Sequence, residues 1–191
     1  MFDAWAKRMV ERINGSPVAR RFAAFVIDYL LCGFVAMIPS IVAYSLLVGG
    51  TMTDLSGFVD AGCGVGLVTV LVLLSLAVSF CYHVIVPWRV WPGQTVGKRQ
   101  NGLEVVMMDG STASLATLAI RWATMTFVET LITVCASFVI QLVNIVCGPT
   151  VGTAYTVFGM VVSLFALSRV LWGKLRRPPH DVLAGTWVYT G

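Results

Sequence analysis

The sequence predicts an all-α membrane protein with four transmembrane helices arranged as two hairpins, and three observations predict it. The 191 residues are 58% hydrophobic and only 12% charged, a balance that fits a polytopic membrane protein rather than a soluble domain. Four apolar stretches, about Ala23–Val48, Val65–Trp88, Trp122–Val146 and Thr153–Trp172, each reach the roughly 20 residues that cross a bilayer. The thirteen Lys and Arg residues are one-sided: all fall in the N-terminus, the 89–121 loop, the C-terminal tail or the adjoining segment edges, and none in the connections 49–64 and 147–152. The positive-inside rule then puts both termini and the 89–121 loop in the cytoplasm. All six Trp residues, at 5, 88, 91, 122, 172 and 187, lie at or beyond that face, as interfacial anchors do. The net charge of +4 thus reports orientation and attraction to anionic lipid, with the bilayer as partner and no sign of a nucleic-acid groove.

Residues 1–19 place Phe2, Trp5, Met9 and Ile13 on one helical stripe, with Lys7, Arg8, Glu11 and Arg12 elsewhere. This predicts an amphipathic helix lying on the membrane surface. Charge interspersed with the apolar residues excludes a secretory signal. Asn14-Gly15 ends that helix, and Ser16 and Pro17 suit the start of the next. The remainder, 20–191, forms one transmembrane domain with the cytoplasmic loop 89–121 and the cytoplasmic tail 173–191.

The first span opens on Arg20 and Arg21 and holds Asp28 one to two turns inside its cytoplasmic end. A carboxylate at the centre of a span costs about 2.5–3.5 kcal/mol, less near the interface, so Asp28 needs a partner, water or a proton. Arg21 is seven residues earlier on nearly the same azimuth, and the expectation is an Arg21–Asp28 pair, either functional or simply setting helix depth. Pro39 is expected to kink this span.

In the second span, Gly62-x-x-x-Gly66 has a spacing that favours close helix packing. Ser75 and Ser79 continue a stripe of small residues. His83, about a turn from the cytoplasmic end, is a candidate proton relay; a histidine hydrogen-bonded at the interface is the plainer reading. The loop that follows contains a turn at Pro92-Gly93, a β-prone run Leu103–Met108 and a turn at Asp109-Gly110. The run Gly93-Gln-Thr-Val-Gly97-Lys98-Arg99 resembles a phosphate loop superficially. It fails the pattern, with three residues between the glycines instead of four and no parallel βαβ setting.

The third segment repeats the opening theme, since Arg121 precedes Glu129 by eight residues as Arg20 precedes Asp28. A parallel repeat of two hairpins would explain that spacing. Glu129 is the second intramembrane carboxylate. In the tail, His180-Asp181 is too small a set for a metal site in a chain with two histidines, and no cofactor or metal is expected. Thr186–Thr190 is β-prone and could pair with Leu103–Met108 beneath the bundle. Cys32, Cys81 and Cys135 fall inside spans as packing residues. Cys63 and Cys147 sit at outer ends, where an oxidising compartment would make them a candidate disulfide.

In this order and spacing the chain resembles the RDD family of membrane proteins. The resemblance rests on Arg20-Arg21 with Ala23-Ala24 and Ile27-Asp28; on Gly93-x-Thr95-x-Gly97-Lys98-Arg99; on Gly102-x-x-Val105-Val106 leading to Asp109-Gly110; on Arg121; and on His180-Asp181-x-x-Ala184-Gly185-Thr186. It extends from Arg20 to Val188. It implies that Arg21, with Arg20 adjacent, is the family arginine, that Asp28 is its first aspartate, and that Asp181 or, in competition, Asp109 is its second. It further implies a bacterial inner-membrane protein connected with transport. Glu129 and the Arg-Pro-Pro before His180 are outside that pattern.

Two functions follow as expectations. One is transport of an ion or small polar solute, with Arg20, Arg21, Asp28, Arg121, Glu129, His180 and Asp181 as the charge cluster. Four spans leave little room for a path in one subunit, so this reading calls for a homo-oligomer. The other is a noncatalytic accessory or assembly subunit of a larger membrane complex, in which the same charges hold spans and tail together. No nucleophile–base pair, metal set or cofactor cradle suggests an enzyme.

Overall fold

A computed structural model describes residues 18–52, 54–172 and 177–190. The amphipathic helix expected over 1–19 lies almost wholly outside the described residues. The chain is mostly helical. Helix α1 (Val18–Leu47) is followed by a short α2 (Ser56–Asp60), and α3 (Val65–Phe80) continues without interruption as a π-helix (Cys81–Val90). After α4 (Val96–Gln100) and β1 (Leu103–Met107) come α5 (Leu115–Phe127), α6 (Val134–Cys147), α7 (Pro149–Trp172), α8 (Pro179–Leu183) and β2 (Thr186–Thr190). Among the described residues three helical stretches, Val18–Leu47, Val65–Val90 and Pro149–Trp172, are long and apolar enough to cross a membrane. Their large apolar side chains are widely exposed, Phe34 and Leu164 among them, which suits lipid and not water.

The third expected segment, 122–146, is not one helix. It breaks between α5 and α6, and α6 alone, at 14 residues, rises only about 21 Å, short of the roughly 30 Å hydrocarbon core. The sequence at the break, Thr126-Phe-Val-Glu-Thr-Leu-Ile-Thr133, is rich in β-branched residues, which lose side-chain freedom in a helix. Neighbouring helices satisfy the backbone groups so freed: Ser163 Oγ accepts from the Leu131 amide at 3.1 Å, and the Tyr155 hydroxyl donates to the Phe127 carbonyl at 2.8 Å. Gly159 makes this close approach feasible, because a Cβ there would overlap the Thr130 side chain.

Helix α1 packs on α3 and α4, α3 on α6, and α6 on α7, whereas α1 and α7 scarcely meet among the described residues. That leaves an open seam between the first and last long helices. Opposite the loop-and-tail end, the 49–64 connection folds back as a cap. Asp54 Oδ1 accepts from the Ser56 amide and hydroxyl, and Leu55 and Phe58 bury completely against Val68, Leu71 and Phe138. At the other end, β1 and β2 pair antiparallel, Leu103 opposite Thr190 and Met107 opposite Thr186. Leu103, Val105 and Val188 share a core with Ala24, Val84 and Leu118, so the ribbon is bonded to the helix ends and does not hang free.

Two further expectations are corrected. Cys63 and Cys147 are free thiols: Cys63 turns into the cap cluster while Cys147 is exposed at the end of α6. Among the described residues of this chain Gly62 and Gly66 make no close packing, since a Cβ on either meets nothing within 4 Å.

Candidate functional site

Asp28 is 5% exposed, and its partners come from the loop and from the π-helix. Its carboxylate accepts from the Tyr82 hydroxyl at 2.6 Å, the Thr95 hydroxyl at 2.5 Å and the Gly97 amide at 2.8 Å. Lys98 Nζ lies 3.6 Å from Oδ2 and donates to Thr95 Oγ1. The cation beside Asp28 is therefore Lys98, where the helical register of α1 had suggested Arg21. Seven residues of helix separate Arg21 and Asp28 by about 10.5 Å along the axis, whereas α4 folds directly onto α1. Gly97 is what allows it: a Cβ at that position would overlap the Ala24 carbonyl and the Asp28 carboxylate. The run that resembled a phosphate loop does bind an anion, and the anion is the chain's own aspartate.

A second group of charges gathers next to the first. Arg121 Nε stands 2.8 Å from Asp181 Oδ1, an ion pair without the alignment of a hydrogen bond, and the Thr186 hydroxyl donates to the same oxygen at 3.0 Å. Glu129, fully buried in the helix break, receives the His180 amide at 2.9 Å and faces His180 Nδ1 at 2.7 Å. The His180 Nε2 to Asp181 Oδ1 distance is 3.8 Å. Glu129, His180, Asp181 and Arg121 thus form one chain of contacts from the break to the tail. Burial alone raises the Asp181 carboxyl, but Arg121 first, then His180, Thr186 and Arg21, hold it below its ordinary 3.8. Lys98 is lowered by burial, which the neighbouring Asp28 offsets only in part.

Both groups border a cavity of about 380 Å³ in the seam between α1 and α7. Arg21, Asp28, His83, Lys98, Arg121, His180 and Asp181 line its charged end, and Phe25, Leu131, Leu164 and Leu167 line its apolar body. Arg21 Nη2 donates to the Val188 carbonyl at 2.6 Å, tying α1 to the ribbon. Half-buried His83 packs edge-on against Tyr82, ring centroids 5.0 Å apart. It also borders a small void of about 10 Å³ with Thr95, Lys98 and Arg121, close to the size that holds one water. Arg20 is exposed on α1, away from the cavity lining. Of the two candidates for the second aspartate, Asp181 is buried in the cluster and Asp109 is an exposed turn residue bonded to Ser111.

The hydroxyls of Thr130 and Thr133 are buried without a hydrogen-bond partner, and Thr133 faces the cavity. Among the described residues no group of three metal-ligating side chains is assembled. Sequence reasoning missed Tyr82, Thr95 and Lys98 as the partners of Asp28, although Thr95-x-Gly97-Lys98 was visible as a conspicuous small-residue and basic run.

This combination of an Asp28 clamp made by Thr95-x-Gly97-Lys98 and an Arg121–Asp181 pair uses the very residues on which the sequence resemblance rested. The family model described as RDD family matches residues 16–185. The chain belongs to the RDD family. Comparison with curated proteins and comparison with solved structures each find no match. In this RDD protein the family-like motifs, scattered over more than 150 residues of sequence, converge on one end of the helical bundle.

Proposed function

We propose that this RDD protein moves an ion or a small polar solute across the bacterial inner membrane, with its termini and the 89–121 loop on the cytoplasmic side. The observation that carries the reading is the interrupted helix: Glu129 sits buried in the break between α5 and α6, against His180, and His180 lines the cavity together with Asp28, Asp181 and the break residues Leu131 and Thr133. Irregular backbone within a membrane is tolerated where it is buried in protein or lines a cavity, and half-helices placed about a site are a recurrent device of transporters. The cationic partners of Asp28 and Asp181 and the histidine facing Glu129 come from α4, α5 and α8. A solute charge entering the cavity exchanges with an internal partner, and that exchange shifts loop and tail against the long helices. The limited room in one chain favours a homo-oligomer, and the reaction is noncatalytic.

A second reading, an accessory subunit of a larger membrane complex, draws support from the same partners: each of the three acids is already satisfied within the chain. Flux into proteoliposomes separates the two. Transport predicts that Asp28→Asn abolishes ion-dependent uptake while expression and oligomeric size stay unchanged. Absence of flux in the unaltered protein, together with a stoichiometric partner copurified from native membranes, would favour the accessory role.

A further inference from the structure

The seam between α1 and α7 has a chemistry of its own. Its walls are apolar, from Phe25 on α1 and from Leu164 and Leu167 on α7, and both leucines are about half exposed. Its floor is charged, and the donors and acceptors there are unequal. The acids are engaged: Asp28 accepts three hydrogen bonds beside Lys98, Asp181 holds Arg121 and Thr186, and Glu129 takes both the amide and the ring of His180. The cations keep unused donors. Arg121, 7% exposed, is engaged through Nε, and no hydrogen bond from its terminal nitrogens is formed among the described residues. Lys98 Nζ donates one hydrogen bond, to Thr95. Spare donors beside saturated acids select an anion, and an apolar slot with half-exposed walls selects a chain that arrives from lipid.

We propose that the seam is a binding site for one anionic phospholipid, its phosphate at Arg121 and Lys98 and an acyl chain laid between α1 and α7. The 380 Å³ cavity lies in the roughly 300–1,000 Å³ range of specific ligand sites, and basic pockets between membrane helices are suited to anionic headgroups. The bound lipid supplies the wall that α1 and α7 do not make with each other. This stands apart from transport: a protein without flux would still retain the lipid.

The test uses the full chain in phosphatidylcholine vesicles, with spin-labelled phosphatidylglycerol or spin-labelled phosphatidylcholine as probe. The expected result is about one immobilised phosphatidylglycerol per chain, preferred over phosphatidylcholine by about fivefold for each cation engaged. Leu167→Trp, on the half-exposed apolar wall, fills the slot and abolishes the preference without replacing either cation, whereas simple attraction to a basic surface would leave it intact. Lys98→Met lowers the preference about fivefold. A native mass spectrum of the detergent-extracted chain should carry one phosphatidylglycerol, and inorganic phosphate should fail to displace it. Equal retention of the two probes, an unchanged preference in Leu167→Trp, displacement by inorganic phosphate, or a lipid-free chain whose seam is filled by its own N-terminal segment or by a second copy would each overturn the proposal.

Discussion

Gly97 and Asp181 illustrate how single residues set this structure. A methyl group at Gly97 would run into the Ala24 carbonyl and the Asp28 carboxylate, so Gly97→Ala must pull α4 off α1 and loosen the clamp. Overpacking of this kind costs about 1–3 kcal/mol. Gly66, in a helix with open space around it, is the control, since Gly66→Ala gains helix propensity and should leave stability within about 1 kcal/mol. Thermal unfolding in detergent compares the two, and equal melting points would contradict the clamp. Asp181 makes a prediction about pH. Its folded carboxyl titrates below the ordinary 3.8, so the ionised form is the one that folding favours. The stability it contributes is complete above pH 3.8 and is lost as pH falls through the lower, folded value. Asp181→Asn should flatten the decline in melting temperature in that acid range relative to the unaltered chain. The acids themselves were legible as sequence features, because carboxylates within or beside apolar runs are conspicuous. Their partners were not: Lys98 stands 70 positions from Asp28, and nothing in the periodicity of α1 refers to it.

Among the elements, the interrupted segment between α5 and α6 departs most from expectation. Its composition is apolar enough for a span, and hydropathy does not register a break when the interrupting residues are Thr, Val and Ile. What holds the break open is help from α7, where Ser163 and Tyr155 engage the Leu131 amide and the Phe127 carbonyl. Ser163→Ala leaves that part-buried amide without its partner and should cost about 1 kcal/mol, together with faster hydrogen exchange at Leu131. Exchange at Leu131 as slow as in the parent would mean that another group, or a regular helix, satisfies it. By contrast, the β1–β2 ribbon was readable in advance, because Leu103–Met107 and Thr186–Thr190 are short β-prone runs bounded by turn residues. Strand pairing is backbone chemistry with a local signature, and a helix break sustained by another helix has none.

For the molecule as a whole, the connection without Lys or Arg and the basic ones lie at opposite ends of the bundle: the cap of Leu55 and Phe58 at one, the ribbon and charge cluster at the other. The proposed topology predicts that a cysteine placed at exposed Ser111, in a background where the native cysteines are replaced, is labelled by a membrane-impermeant maleimide only after cells are opened. A cysteine at exposed Asp60 should be labelled in intact spheroplasts. The reverse pattern would invert the protein and put the charge cluster outside.

The sequence by itself determined that the chain is helical and apolar, where the apolar stretches and the basic residues collect, and that the RDD motifs are present in order. These properties follow from local composition and spacing, because solvent transfer and backbone periodicity act residue by residue. Only the tertiary structure decided that Lys98 rather than Arg21 stands beside Asp28, that Glu129 faces the tail from a broken helix, and that α1 and α7 stay apart. Each of those depends on which distant segments satisfy a buried polar group at least cost, and that choice is made by the packed chain as a whole.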